Sequence, residues 1–424
     1  MQLVGVSAMK ALNLNELYPR EKYLAKMRGF YYECEIIKVI TGVRRCGKSS
    51  VMKMIIGELM AGGVSQDDIL YFNLDKRPYL QITEPIQLDK LIEVGYCSDR
   101  KQYLFIDEVQ NVRGFETVVN SWREEGNLSI FLTGSNSYLL SGELVTKLTG
   151  RYLEFHILPL TLEEFIGMKQ YFGKSVPSDN EALLNEYVHE GGFPYAIRLD
   201  AMSDKRTYVQ GLIDEIYKKD IQNRVIIRNR TVFDTVMKYL INNFGSTTSI
   251  RNIVDDLNRN GTNVKRETVN RYIEALVSAK IIMPCDRFDM KSRKSLRGEK
   301  KYYLSDFSFY YALNTDNRIN YGPALENIIF NYAASLDYRI SIGRIGKLEC
   351  DFILRNKSLL YSYVQVAYTI LGSKETEDRE YRSLEAIKGD NYPKSVATMD
   401  KMIQQRNGIH HINIMNFIRE SRRF

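Results

Sequence analysis

Residues Ile36 to Ser50 read IIKVITGVRRCGKSS, a β-branched apolar run that ends in Gly42 and passes into Gly47-Lys48-Ser49. From Gly42 to Ser49 the spacing fits G-x-x-x-x-G-K-[ST]. The backbone N–H groups of such a loop point inward and hold a polyphosphate together with the N-terminus of the following helix. Gly42 and Gly47 permit close backbone approach and φ angles that a side chain resists. Arg44, Arg45 and Cys46 fill the loop between them, and Ser50 follows it. In this pattern Lys48 reaches the β- and γ-phosphates, and Ser49 offers its hydroxyl to a magnesium ion. The context agrees. A buried-type strand precedes the loop, and VMKMIIGELMAGG follows it with Val51, Met54, Ile55 and Leu59 on one helical face.

Further along, KQYLFIDEVQ runs four apolar residues, Tyr103 to Ile106, into Asp107-Glu108. A strand of a parallel sheet that ends in two carboxylates brings them to the edge where the phosphates lie. Asp107 then holds the magnesium through its water shell, and Glu108, kept ionised near a cation, orients the attacking water. LSIFLTGSNSYLL repeats the strand-then-polar pattern and places Asn136, or its neighbour Ser135, at the end of another strand. A polar group there serves as a sensor of the γ-phosphate or caps a helix, since both tasks use the same residue types.

TGVRRCGKSS, YLFIDEVQ, IFLTGSNSYLLSGEL and LTGRYLEFHILPLTLEEF lie between residue 16 and about residue 165. In order and spacing they resemble the AAA+ ATPase module of a large prokaryotic family of ATP-binding proteins. The resemblance implies ATP and Mg2+ as cofactors and a catalytic group of Lys48, Glu108, Asn136 and Arg151. Arg151 is the arginine of the family's L-x-G-R landmark. It acts on the γ-phosphate in cis or across a subunit interface, or else forms a surface ion pair. In that family the module is followed by a domain of unknown function that includes a winged helix and a nuclease-like fold.

The chain has 424 residues, which is too long for one core and suggests roughly two to four domains. A net charge of +7 spread over this length says little about partners, so only local basic clusters count. Cys34, Cys46, Cys97, Cys285 and Cys350 form no CxxC pair, which argues against a zinc site or a disulfide framework. Cys46 reads as a tolerated position in the loop. With no leader-like N-terminus and no membrane-length apolar run, the expected location is the cytoplasm, with no membrane partner.

The expected fold class is α/β, opening with a P-loop NTPase (AAA+-like) parallel sheet over residues 1–157. Residues 14 to 33 read as a lead-in helix. A helical lid or connector occupies 158–230 and includes Gly191-Gly192-Phe193-Pro194, from which no chemistry follows. Residues 231–310 give three helices and a hairpin, the winged-helix order. Their wing carries Lys291, Arg293, Lys294, Arg297, Lys300 and Lys301, and the recognition helix carries Lys265, Arg266 and Arg271. DNA contact, protein contact and a solvated loop all fit such a basic run. Residues 311–424 resemble a restriction-endonuclease-like domain through Glu326, Asp351 and Gln365. Active members of that fold carry a lysine two residues after the third position, and here Ala367 stands there. The domain is therefore expected to recognise rather than cut, with Lys374 as the alternative source of an ammonium. The function expected is an ATPase coupled to a region that binds DNA or a protein partner. A metal-requiring DNA nuclease and a slow nucleotide switch are the alternatives, and an oligomer is compatible with all three.

Overall fold

A computed structural model describes residues 16–134, 150–223, 225–259, 261–292, 294–295, 298, 300–314 and 318–424. The chain divides into two compact units, Met1–Ile157 and Leu158–Phe424.

The first unit runs α1 (Glu21–Met27), β1 (Ile37–Thr41), α2 (Lys48–Ala61), β2 (Ile69–Asn73), α3 (Pro85–Glu93), β3 (Gln102–Asp107), α4 (Phe115–Glu124), β4 (Leu128–Thr133) and β5 (Tyr152–His156). Among the described residues its five strands are all parallel, in the order β2-β3-β4-β1-β5. β1, β3 and β4 are buried along their whole length, which is why they read as continuous apolar runs rather than alternating ones. Ile37, Val39, Leu104, Ile106, Ile130 and Leu132 of these strands join Leu88, Ile92, Phe115 and Val119 of α3 and α4 in one core. Burying each such side chain stabilises the unit by about 1.5–3 kcal/mol. Parallel pairing sets all the strand carboxyl ends on one edge, and that edge carries the site.

The lead-in helix is shorter than the sequence suggests. Among the described residues of that stretch only Glu21–Met27 is α-helical, and Arg28–Phe30 tightens into a 3₁₀ turn containing Gly29, a poor helix former. Tyr23, Leu24 and Met27 are its buried face.

The second unit opens with α5 (Leu162–Tyr171), α6 (Asn180–Glu190), α7 (Pro194–Arg198), α8 (Met202–Ile216) and α9 (Arg230–Asn242). Next come β6 (Thr247–Thr248), α10 (Ile250–Arg259), α11 (Arg266–Ser278), β7 (Ile282–Asp289), β8 (Lys294–Ser295) and β9 (Lys300–Leu304). The remainder is α12 (Ser308–Leu313), α13 (Tyr321–Ser335), β10 (Arg339–Ile345), β11 (Leu348–Arg355), β12 (Tyr361–Val366), α14 (Lys374–Glu385), β13 (Lys394–Thr398), β14 (Gln405–Arg406), β15 (Ile409–Asn413) and α15 (Ile414–Arg419). One sheet, ordered β14-β15-β13-β12-β11-β10-β7-β9-β6, passes through both segments 231–310 and 311–424. The splice is β7, which pairs antiparallel with β9 and parallel with β10, Ser341 opposite Asp286. The hairpin strands are therefore rigidly tied to the C-terminal strands.

The Gly191-Gly192 pair has a structural task. The Gly192 amide donates to buried Asp306 at 2.7 Å. Gly191 has φ +74°, and a Cβ there would stand 2.2 Å from the Asp306 carboxylate. Among the described residues no helix is long and apolar enough to cross a membrane.

Candidate nucleotide-binding site

Gly42 ends β1 with φ +145°, and a Cβ at that position would lie 2.2 Å from the Ile157 carbonyl oxygen and 2.8 Å from Cys46 Sγ. Arg45 and Gly47 also have positive φ, 66° and 106°, so the chain coils tightly before α2 begins at Lys48. This is a cradle that side chains would fill, at the N-terminus of a 14-residue helix. Lys48 is buried, and its ammonium donates to the Gly42 and Val43 carbonyls at 3.1 and 3.2 Å. Among the described residues it is paired with no carboxylate, so an anionic ligand fits the charge left in the loop. Cys46 is wholly buried, and burial pushes its thiol pKa up, which agrees with a packing role. Arg44 is half-buried, Arg45 is exposed, and Ser50 is half-buried in the first turn of α2.

Asp107 is fully buried at the end of β3 and collects four donors from three elements. Ser49 Oγ donates to Oδ1 at 3.0 Å, and the Thr133 hydroxyl donates to the same oxygen. Asn73 Nδ2 and the Tyr71 hydroxyl donate to Oδ2 at 2.6 and 3.3 Å. The sequence-predicted magnesium pair, Ser49 and Asp107, is thus in direct contact. Four donors to one carboxylate fix its orientation.

Glu108 follows in a left-handed conformation, φ 61°, which is uncommon for a residue with a side chain. Its backbone N–H donates to Thr133 Oγ1 at 3.1 Å, and its carboxylate accepts from Gln110 Nε2. Burial pushes the Glu108 pKa up and Asp107 adds to the rise, while Lys48 and Arg44 oppose it. Burial outweighs the cations expected to hold this carboxylate ionised, so its pKa lies above the ordinary carboxylate value.

Asn136 and Ser135 lie outside the described residues. The strand-end hydroxyl that touches the Asp107 carboxylate and the Glu108 backbone N–H is Thr133, which the sequence reading passed over although it closes the apolar run LSIFLT. Asn73 and Tyr71 were likewise missed, for they reach Asp107 only through the β2–β3 pairing, Asn73 opposite Asp107. Arg20 was missed too; its guanidinium donates to the Cys46 carbonyl at 2.9 Å and braces the loop.

Arg151 is not brought to this site within the chain. It precedes β5, whose first residue Tyr152 lies opposite Ile37, at the amino edge of the sheet. The phosphate loop leaves the other edge, about 16 Å away for five residues of strand. Arg151 donates to Asn120 Oδ1 at 3.0 Å and lies 3.5 Å from Glu124, both on α4. The cis role is thereby corrected.

In the second unit, Glu326 of α13 and Asp351 of β11 meet around Lys301, which the sequence assigns to the basic wing. Lys301 Nζ lies 3.2 Å from Glu326, 3.1 Å from Glu349 and 3.9 Å from Asp351. The premise that Ala367 leaves this cluster without an ammonium is therefore wrong. Lys374 lines a separate surface pocket with Ser373, Glu377, Asp378 and Arg406. Gln365 turns toward α14, donating to Glu380 at 3.0 Å and accepting from the Ser383 hydroxyl at 2.9 Å.

Of the wing cations, Lys300 pairs with Asp286 at 2.8 Å, Lys294 stands opposite Asp289 across the β7–β8 pair, and Lys291 is exposed. Arg293 and Arg297 lie outside the described residues. Lys265, Arg266 and Arg271 are exposed on and beside α11.

A family model described as an AAA domain matches residues 35–166, and one described as a domain of unknown function matches residues 181–319. The chain belongs to a prokaryotic AAA+ P-loop ATPase family. An uncharacterized protein of Haemophilus influenzae is 32% identical over 380 residues, covering 89% of this chain and 92% of the relative. An uncharacterized protein of Methanocaldococcus jannaschii is 30% identical over 375 residues, covering 85% of this chain and 82% of the relative. A Walker-type ATPase of Pyrococcus abyssi superposes with a TM-score of 0.50 at 15% identity, covering 70% of this chain and 96% of that one. At that identity the last similarity speaks to fold alone. This member of the AAA+ family has the parallel sheet, the glycine cradle and the paired carboxylates in one place.

Proposed function

We propose that the protein is a magnesium-dependent ATP hydrolase whose nucleotide state controls the Leu158–Phe424 unit. The observation that carries this reading is the Ser49–Asp107 contact beside the unneutralised Lys48 ammonium. Lys48 and the amides of residues 43 to 49 bind the β- and γ-phosphates. Ser49 and Asp107 would hold Mg2+, which would offset the charge of the phosphates. Glu108 orients the attacking water and takes its proton, a task suited to a carboxyl group whose pKa is raised above the ordinary carboxylate value. Thr133 holds Asp107 and the Glu108 amide in place, and Asn136 completes the γ-phosphate contact. Arg151 acts, if on a nucleotide at all, on one bound by a second copy. Steady-state phosphate release with Mg2+, against the same protein in EDTA, tests the reading; no turnover and no ATP binding would end it.

The second reading, a slow-hydrolysing switch that regulates a protein partner, is supported by the Gln110 contact that occupies the Glu108 carboxylate. A kcat far below about 1 s⁻¹ with tight ATP binding selects it. For the second unit, three helices and a basic hairpin support a winged-helix reading, with DNA contact through Lys265, Arg266 and Arg271. The internal pairing of Lys300 supports a protein partner instead. Capture with the Glu108→Gln protein and ATP, with and without added DNA, separates the two.

A further inference from the structure

β9 alternates like any strand, so Lys301 and Tyr303 share one face while Lys300 points to the other. On the shared face both reach α13: Tyr303 donates its hydroxyl to Glu326 Oε2 at 2.9 Å, and the Lys301 ammonium lies 3.2 Å from the same oxygen. β11 presents Glu349 and Asp351, again two apart and on one face, to the same nitrogen at 3.1 and 3.9 Å. Three carboxylates from two elements thus converge on one point, and a buried ammonium occupies it; the Lys301 side chain is 8% exposed. Arg287 of β7 pairs with the outer side of Glu349. Asp351 Oδ2 is held by the Val366 amide at 2.8 Å, which aims Oδ1 at Lys301. Burial raises the Asp351 and Glu326 pKa values, and burial alone would lower that of Lys301; the carboxylates together outweigh it and keep the amine charged.

Oxygen ligands that converge on one point from separate elements are the arrangement a hard divalent cation requires. We infer that Lys301 is the resident cation of this site, an ammonium delivered by the hairpin strand β9 to the position a divalent ion would otherwise fill. The charge that holds α13 to β11 is then covalently part of the chain, and the second unit keeps this site intact without metal. The inference is independent of the ATPase reading.

The test uses the full chain, nucleotide-free, with MnCl2 as the probe. Comparing each protein with its Asp351→Asn counterpart separates this site from the Ser49–Asp107 position. Lys301→Met keeps the side-chain volume and removes the charge. It is expected to melt lower than wild type in EDTA and to recover by about 2–4 °C or more in 1 mM MnCl2. The recovery should vanish in Lys301→Met/Asp351→Asn, and wild type should show no Asp351-dependent shift. A folded Lys301→Met protein that Mn2+ leaves unchanged overturns the inference. So does Mn2+ binding by wild type that Asp351→Asn removes, since ammonium and metal would then coexist. If Lys301→Met does not fold, a Mn2+ titration of wild type against Asp351→Asn by electron paramagnetic resonance decides alone: equal binding supports the inference, and binding lost with Asp351 overturns it.

Discussion

Ser49 and Asp107, 58 residues apart in sequence, are joined by a 3.0 Å hydrogen bond at the carboxyl edge of the first sheet. One is the first-turn hydroxyl of α2 and the other the last residue of β3, so the contact exists only because β1 and β3 run parallel on either side of β4. It joins the two groups proposed to bind magnesium, and the proposed division of labour among the site residues follows from it.

Lys48→Ala should abolish nucleotide binding, because the phosphates lose the buried ammonium of the cradle. Glu108→Gln should bind ATP with little change and lose turnover by about 10²–10⁴-fold, the usual span for removing a general base. Fluorescent-nucleotide titration and phosphate release measure the two effects. Undiminished hydrolysis by the Glu108→Gln protein would remove Glu108 from this role.

Thr133→Val should lower kcat by about 10–100-fold while leaving the apparent ATP affinity within a few-fold, since Thr133 contacts the Asp107 carboxylate and the Glu108 backbone N–H and reaches the ligand through those two residues. It should also destabilise the first unit by about 1–3 kcal/mol, because a buried Glu108 amide loses its acceptor. An equal fall in kcat/KM and in melting temperature, with kcat unchanged, would make Thr133 purely structural.

Gly42→Ala should destroy nucleotide binding and destabilise the first unit by more than about 1 kcal/mol, since φ is +145° and the new methyl meets the Ile157 carbonyl at 2.2 Å. Gly63→Ala, also at positive φ but with open space around it, should be milder and spare nucleotide binding. Urea midpoints and ATP titrations of both proteins provide the comparison.

Asp306 gives a pH dependence of known sign. Burial pushes its pKa from 3.8 up to about 6, against the opposing hydrogen bonds from Ser308 and Gly192. The folded state therefore holds the proton more tightly than the unfolded one. The resulting stability is fully present below about pH 4 and is lost as the pH rises through 6. Relative to Asp306→Asn, wild type should gain about 2–3 kcal/mol in the second unit between pH 7 and pH 4. Urea denaturation across that range measures the difference; parallel profiles would show that Asp306 does not titrate there.

If α11 contacts DNA, replacing Lys265, Arg266 and Arg271 with alanine should weaken binding to unrelated sequences alike. The slope of log affinity against log salt should fall by roughly one per lost phosphate contact. Replacing Lys300 should change it less, since Asp286 already neutralises that ammonium. Fluorescence anisotropy between low and moderate salt reads the slopes.

The local chemistry of this protein was legible in the sequence. Gly42, Gly47, Lys48 and Ser49 are dictated by loop geometry over eight residues, and Asp107-Glu108 by the end of one apolar strand, so short-range pattern suffices to find them. The order of helices and strands through the second unit was legible for the same reason, because periodicity is a local property. What only the tertiary structure decided are the contacts set by strand pairing. β2 beside β3 brings Asn73 to Asp107, and β4 beside β3 brings Thr133 to the Asp107 carboxylate and the Glu108 amide. The parallel direction of β5 carries Arg151 to the wrong edge for a cis role. The same holds for Lys301: no spacing rule links a lysine on the hairpin strand to carboxylates 25 and 50 residues later, and only the splice of β7 onto β10 sets them around one point. Sequence fixes what each strand end carries; which strand ends become neighbours depends on sheet order, a long-range choice settled by the packing of the whole unit.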